Sequence, residues 1–180
     1  MDLDVFTNFG KVNTHSTLAG IDVTKLSKLR SQQVKDCFRH LEEQLYKQEY
    51  VATIHDTEFI NDAASVTVNS TWYALESIEG PLVWIALGSE NTAETYTKLE
   101  RLAAQKVKML LCIGDNTSAL HEAFDGIVPV IEDVKTIQEA VHRAFYNQLE
   151  RKKVLFSPAA VSQESVAEMG ACFNKEVNEI

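Results

Sequence analysis

The stretch Phe59-Ile-Asn-Asp-Ala-Ala-Ser-Val-Thr-Val-Asn-Ser-Thr-Trp-Tyr-Ala-Leu75 decides the fold. An apolar strand runs into Asn61-Asp62, and a start of small residues leads at once into a helix. Proteins of the α/β class present polar groups to a ligand in this way, at the C-terminal edge of a sheet. No Lys, Arg or His lies between Asp62 and Leu75, so the stretch lacks a cation to meet a phosphate or polarise a carbonyl. Asp62 is the foremost functional candidate, in a polar cluster with Asn61, Ser65 and Thr67. Its carboxylate either holds a ribose hydroxyl or a metal-bound water or, with Asn61, caps the following helix through backbone N–H groups.

Outward from this stretch, short apolar runs alternate with helical patterns. The runs predict strands at 49–54, 57–61, 82–87, 107–113, 127–131 and 153–156. Helices are expected at 71–77, 92–105, 118–124, 134–149 and 164–178. Val134, Ile137, Val141, Phe145 and Leu149 fall three or four apart on one stripe, as do Val166, Met169, Phe173, Val177 and Ile180. The first two strands are separated only by His55-Asp56 and must pair antiparallel. The other four each follow a helix, which makes them parallel and joined by right-handed crossovers. The expected fold is a Rossmann-like three-layer α/β sandwich. It holds a six-stranded mixed sheet, mostly parallel with one antiparallel strand, and helices on both faces. Residues 1–48 read as an N-terminal helical extension, with Val34, Cys37, Phe38, Leu41 and Leu45 on one face of a helix capped by Ser31. Residues 49–180 form the α/β domain.

The 180-residue chain is long enough for a full core. Its net charge of −9, from 17 Lys and Arg against 26 Asp and Glu, argues against a nucleic-acid or anionic-membrane partner. Three cysteines without paired spacing exclude a Cys-x-x-Cys metal motif and leave no disulfide framework. His15, His40, His55, His121 and His142 sit in different elements, so no metal site is expected. The acidic opening Met1-Asp2-Leu3-Asp4 is unlike a secretory leader, no apolar run reaches the ~20 residues of a membrane span, and a cytoplasmic protein is expected. Glycine-rich phosphate loops and nucleophile elbows are absent from the sequence.

Several ordered segments carry a family resemblance. Gly10-Lys-Val-Asn-Thr-His-Ser16, Tyr46-Lys-Gln-Glu-Tyr50, Phe59-Ile-Asn-Asp62 and Lys153-Val-Leu-Phe-Ser-Pro-Ala159 with Ser162 are similar to successive motifs of the Mur ligases. The match covers nearly everything from Gly10 onward and centres on the C-terminal domain of that family, most closely its D-glutamate-adding branch. The resemblance implies a domain wall that holds nucleotide and the incoming amino acid, with ATP and magnesium bound by a neighbouring domain. It also marks departures. The motif lysine is replaced by Ala64 and the motif threonine by Val66, while Tyr46 and Lys47 stand for a histidine and an arginine. A nucleotide-contacting asparagine falls at Ser16. A second lysine-bearing loop becomes Leu87-Gly-Ser-Glu-Asn-Thr92, and aromatic positions of the amino-acid pocket fall at Val166 and Met169. Only Asp62, Ser157 and Ser162 keep both position and chemistry.

Acyl-phosphate ligation requires cations and magnesium around the transferred phosphoryl group. Losing one such contact costs ~3–4 kcal/mol of transition-state stabilisation. The chain is therefore expected to be a freestanding, catalytically inactive relative that acts as a binding or interaction module, with no cofactor of its own. A small-molecule binder for a nucleotide, amino acid or UDP-muramoyl precursor, and a partial ligase completed in trans, are the alternatives. The ligand-binding candidates are Asp62, Asn61, Lys47, Ser157 and Ser162, with no catalytic residue. The partners considered are a protein, a second copy of the chain, or a cell-wall precursor.

Overall fold

The computed structural model describes residues 45–162 and 164–180. The helix expected at 31–45 and the segment Gly10–Ser16 lie outside the described residues, except for Leu45, which sits in a turn. The strands are β1 (Glu49–Ile54), β2 (Thr57–Asn61), β3 (Leu82–Leu87), β4 (Val107–Ile113), β5 (Ile131–Val134) and β6 (Lys153–Phe156). The helices are α1 (Val68–Ser77), α2 (Ala93–Lys106), α3 (Ser118–Phe124), α4 (Ile137–Tyr146) and α5 (Val166–Asn178). The six strands form one sheet in the order β1-β2-β6-β3-β4-β5. β1 and β2 pair antiparallel, and every other pair is parallel.

Alternation along the central strands divides the interior into two cores. In β3, Leu82, Trp84 and Ala86 join one core with the inner faces of α1, α2 and α3. Val83 and Ile85 point the other way, into a core closed by α4 and α5. The sheet is thus covered on both faces, which is why its parallel strands read as unbroken apolar runs.

One strand moves from its expected place. The run 127–131 contains Pro129, which has no N–H to give to a ladder. Ile127 and Val128 instead donate to the Phe124 carbonyl, ending α3 in a turn, and pairing with β4 begins only at Ile131. Val134 consequently closes β5 and does not open a helix. α4 starts after Thr136, whose hydroxyl accepts from the Glu139 N–H. α1 begins three residues earlier than expected, with Thr67 as its cap in a reciprocal bond with Ser70.

Candidate functional site

β2 ends at Asn61, and the Asp62 N–H still donates to the Phe156 carbonyl of β6 at 2.8 Å. This last rung fixes the Asp62 side chain under the loop that leads to α1. The Ser157 hydroxyl donates to Asp62 Oδ2 at 2.9 Å, and the Gln48 N–H donates to Oδ1 at 3.2 Å. Ser157 Oγ also lies 2.9 Å from Thr71 Oγ1, which lies 3.4 Å from the Ser65 carbonyl. The Trp84 indole N–H donates to the Ser157 carbonyl at 2.8 Å. Asp62, Ser157 and Thr71 are all fully buried. Burial pushes the Asp62 carboxyl up to about 6, against the pull of the Ser65 and Ser157 hydroxyls, the Gln48 N–H and the Lys47 charge.

This geometry corrects the helix-cap reading of Asp62 and Asn61. The cap of α1 is Thr67, five residues further on. Asn61 Oδ1 accepts from the Ala63 N–H, while its Nδ2 donates to the Gly170 carbonyl at 2.9 Å and to Asn174 Oδ1 at 2.7 Å. Asn61 therefore ties the strand end to α5. Gly170 is the point of closest approach there, since a Cβ on it would fall 2.3 Å from a ring carbon of Tyr46.

The five expected ligand-binding residues do not converge. Asp62 and Ser157 meet in the buried network, and Asn61 faces α5 on the other side. Lys47 is exposed and acts on Asp62 only through its charge. Ser162 Oγ accepts from the Glu164 N–H in a local turn.

The open space lies beside this network. A cleft of about 350 Å³ is lined by Val66 to Asn69 at the start of α1, by Asn91, Thr95 and Lys98 around the start of α2, and by Ala159 to Val161 after β6. These segments follow the C-terminal ends of β2, β3 and β6. β6 returns between β2 and β3, so the cleft straddles the place where the sheet order reverses, the usual ligand crevice of such sheets. Trp72 and Tyr73 line an adjoining hollow with Asn69 and Lys98. Lys98 Nζ reaches Asn69 Oδ1 at 3.4 Å and is the one cation lining either space among the described residues. Glu90 lies outside both and accepts from Asn116 Nδ2. Of the rim residues, Thr95 and Lys98 escaped the sequence reading, while Asn69 and Asn91 lay in segments it quoted without being singled out. The only available signal was Thr95 and Lys98 three apart on the polar face of α2.

Cys112, His121 and Asp133 also come together, although nothing in their spacing announced it. Cys112 and Cys172 are free thiols, and no helix among the described residues is long and apolar enough to cross a membrane.

No protein-family model matches the chain. The sequence is 31% identical over 180 aligned residues to the UDP-N-acetylmuramoylalanine–D-glutamate ligase of Porphyromonas gingivalis, covering 98% of this chain and 40% of that protein. The corresponding ligase of Christiangramia forsetii is 33% identical over 153 residues, 85% of this chain and 34% of its own length. The chain thus spans less than half the length of the relatives it matches. Among solved structures, a domain assigned to a UDP-N-acetylmuramate:L-alanyl-γ-D-glutamyl-diaminopimelate ligase from Haemophilus ducreyi superposes with a TM-score of 0.50 at 7% identity. That match covers 72% of this chain and 98% of the Haemophilus domain, which places the six-stranded fold among Mur ligase C-terminal domains.

Proposed function

The chain is a homologue of the Mur ligases, with the fold of their C-terminal domain, and on that footing we propose that it is a catalytically inactive binding module in peptidoglycan precursor metabolism. Its cleft takes a small ligand with an anionic group, which Lys98 meets while Asn69, Asn91 and Thr95 supply neutral hydrogen bonds. The observation that carries this reading is the division between the two neighbouring features. The carboxylate at the family's motif position is enclosed in hydrogen bonds to Ser157 and Gln48, and among the described residues the open cleft beside it holds one cation and no acid. Inactivity is supported by Ala64 in the seat of the motif lysine and by the loop Leu87–Thr92, which carries no lysine in the seat of the second. The names of the relatives supply the first ligands to try, UDP-N-acetylmuramoylalanine and D-glutamate.

Thermal melts of the full chain with millimolar D-glutamate, UDP-N-acetylmuramoylalanine or ATP test the proposal. A ligand present at ten times its Kd adds ~1.4 kcal/mol, which raises the Tm by about 3–6 °C for a chain of this size. Lys98→Ala should abolish that rise. No shift with any of the three would remove the small-ligand role. ATP-dependent coupling of D-glutamate by the purified chain would overturn inactivity.

A further inference from the structure

Cys112 is the penultimate residue of β4, and the parallel ladder sets it directly against Asp133 of β5. α3 lies over the same face of the sheet, with Leu120 and Phe124 anchored in the core beside Cys112. That packing brings His121 above the strand pair, with Nε2 2.9 Å from Asp133 Oδ1. One ligand atom from each of the three residues lies within 4.8 Å of the other two. None of the three lines the cleft.

We propose that Cys112, His121 and Asp133 form a binding site for a thiophilic divalent cation of the zinc class. The donors are one sulfur, one imidazole nitrogen and one carboxylate oxygen, a set that suits zinc and excludes hard cations such as magnesium and calcium. Bonds of ~2.0–2.3 Å to a shared ion put tetrahedral neighbours ~3.3–3.8 Å apart, so the three atoms need shifts of an ångström or less. Two of the ligands stand on paired strands, which fixes their separation before any ion arrives. The Thr117 hydroxyl, just before α3, faces the Asp133 carboxylate. The side chains of His121 and Asp133 are 40% and 55% exposed, so an ion enters from solvent past them and meets the buried sulfur last. A water takes the remaining position on the solvent side. Binding exchanges the thiol proton of Cys112 for the metal and releases that proton to solvent. A Cys-His-Asp hydrolytic centre is ruled out by access, because the Cys112 side chain is fully covered and no substrate carbon can reach its sulfur.

Cobalt(II) titration of the untagged, metal-free full chain is the test. Wild type should develop saturable thiolate-to-cobalt absorption and tetrahedral visible bands at one ion per chain, both displaced by zinc. Cys112→Ser should abolish the charge-transfer absorption. His121→Gln, at a partly exposed position where folding is insensitive, should weaken binding at least tenfold, and His142→Gln should leave it unchanged. Absence of saturable absorption in folded wild type overturns the site. So does absorption that survives Cys112→Ser, which would assign it to Cys37 or Cys172, or binding that His121→Gln leaves unaltered.

Discussion

Asp62, at the strand end that the resemblance singles out, is wholly buried. Its carboxyl titrates at about 6 against an ordinary 3.8, so between those pH values the folded chain holds more protons than the unfolded one. Asp62 therefore contributes stability that is fully present below 3.8 and is lost as pH rises through about 6. That gap corresponds to ~3 kcal/mol. The surrounding hydroxyls accommodate a neutral side chain, because a donor at Oδ2 can bond to Ser157, Ser157 to Thr71, and Thr71 to the Ser65 carbonyl. Asp62→Asn should accordingly raise stability at pH 7 by about 1–3 kcal/mol and flatten its pH dependence between about 4 and 6. Ser157→Ala should lower stability by about 1–3 kcal/mol, since it takes a buried hydrogen-bond partner from both Asp62 Oδ2 and the Thr71 hydroxyl. Urea melts across pH 4.5–7.5 separate the two, and an Asp62→Asn variant that is weaker at neutral pH would show that the buried charge stabilises the fold. Asp62 and Ser157 were both singled out at strand ends by the family resemblance, but their meeting follows from the pairing of β6 with β2, which the sequence pattern did not fix. Lys98 and the Cys112–His121–Asp133 group were not legible in sequence, because each depends on which helix lands over which strand end. Periodicity says that a helix has a buried face, and it is silent about that helix's neighbours.

Within single elements, local chemistry explains most boundaries and one departure. β1, β2, β3, β4 and β6 fall where apolar runs end in polar or turn residues. β5 is displaced because Pro129 interrupts the run that looked like the strand. Helix ends fall within a residue of expectation except that of α4, which closes at Tyr146 and not at Leu149, and both α1 and α4 are closed by lysines and not by a terminal glycine. Lys106 Nζ donates to the carbonyls of Leu75, Glu76 and Ile78, and Lys152 Nζ donates to those of Phe145 and Asn147. A cation on the last carbonyls offsets the negative end of the helix dipole, and no short-range sequence rule reports it. The β1–β2 hairpin carries a more local cost. His55 and Asp56 both have positive φ, 44° and 61°, as a two-residue turn between twisted strands requires. Glycine takes the second position without steric penalty, whereas His55 is held by its ring contact with Phe145. Asp56→Gly should therefore stabilise the chain by about 0.5–1 kcal/mol, the offset being the extra freedom of glycine in the unfolded state. A thermal melt reads this directly, and a lower Tm would mean that the Asp56 side chain has a role in the turn beyond its backbone angle.

At the scale of the whole molecule, one sheet serves two cores that share no side chain. Trp72 and Trp84 both belong to the α1–α3 side, and Phe173 belongs to the α4–α5 side, where its ring stacks on Phe156 at 5.3 Å and meets Phe59 at 6.4 Å. Phe173→Ala removes a fully buried ring and should cost about 3–5 kcal/mol, a large part of the ~5–15 kcal/mol that holds a domain together. Neighbouring residues of β3 feed opposite cores, Trp84 one and Val83 and Ile85 the other, so loss of packing on one face must loosen the strand that supports both. The variant should then show tryptophan fluorescence and far-UV circular dichroism falling together at one lowered urea midpoint, with an unchanged slope. Fluorescence that stays at the wild-type midpoint while the helical signal falls early would mean that the two layers unfold independently. In that case ligand binding in the cleft, which is built from the α1 and α2 side and the loop after β6, would stabilise only half of the molecule.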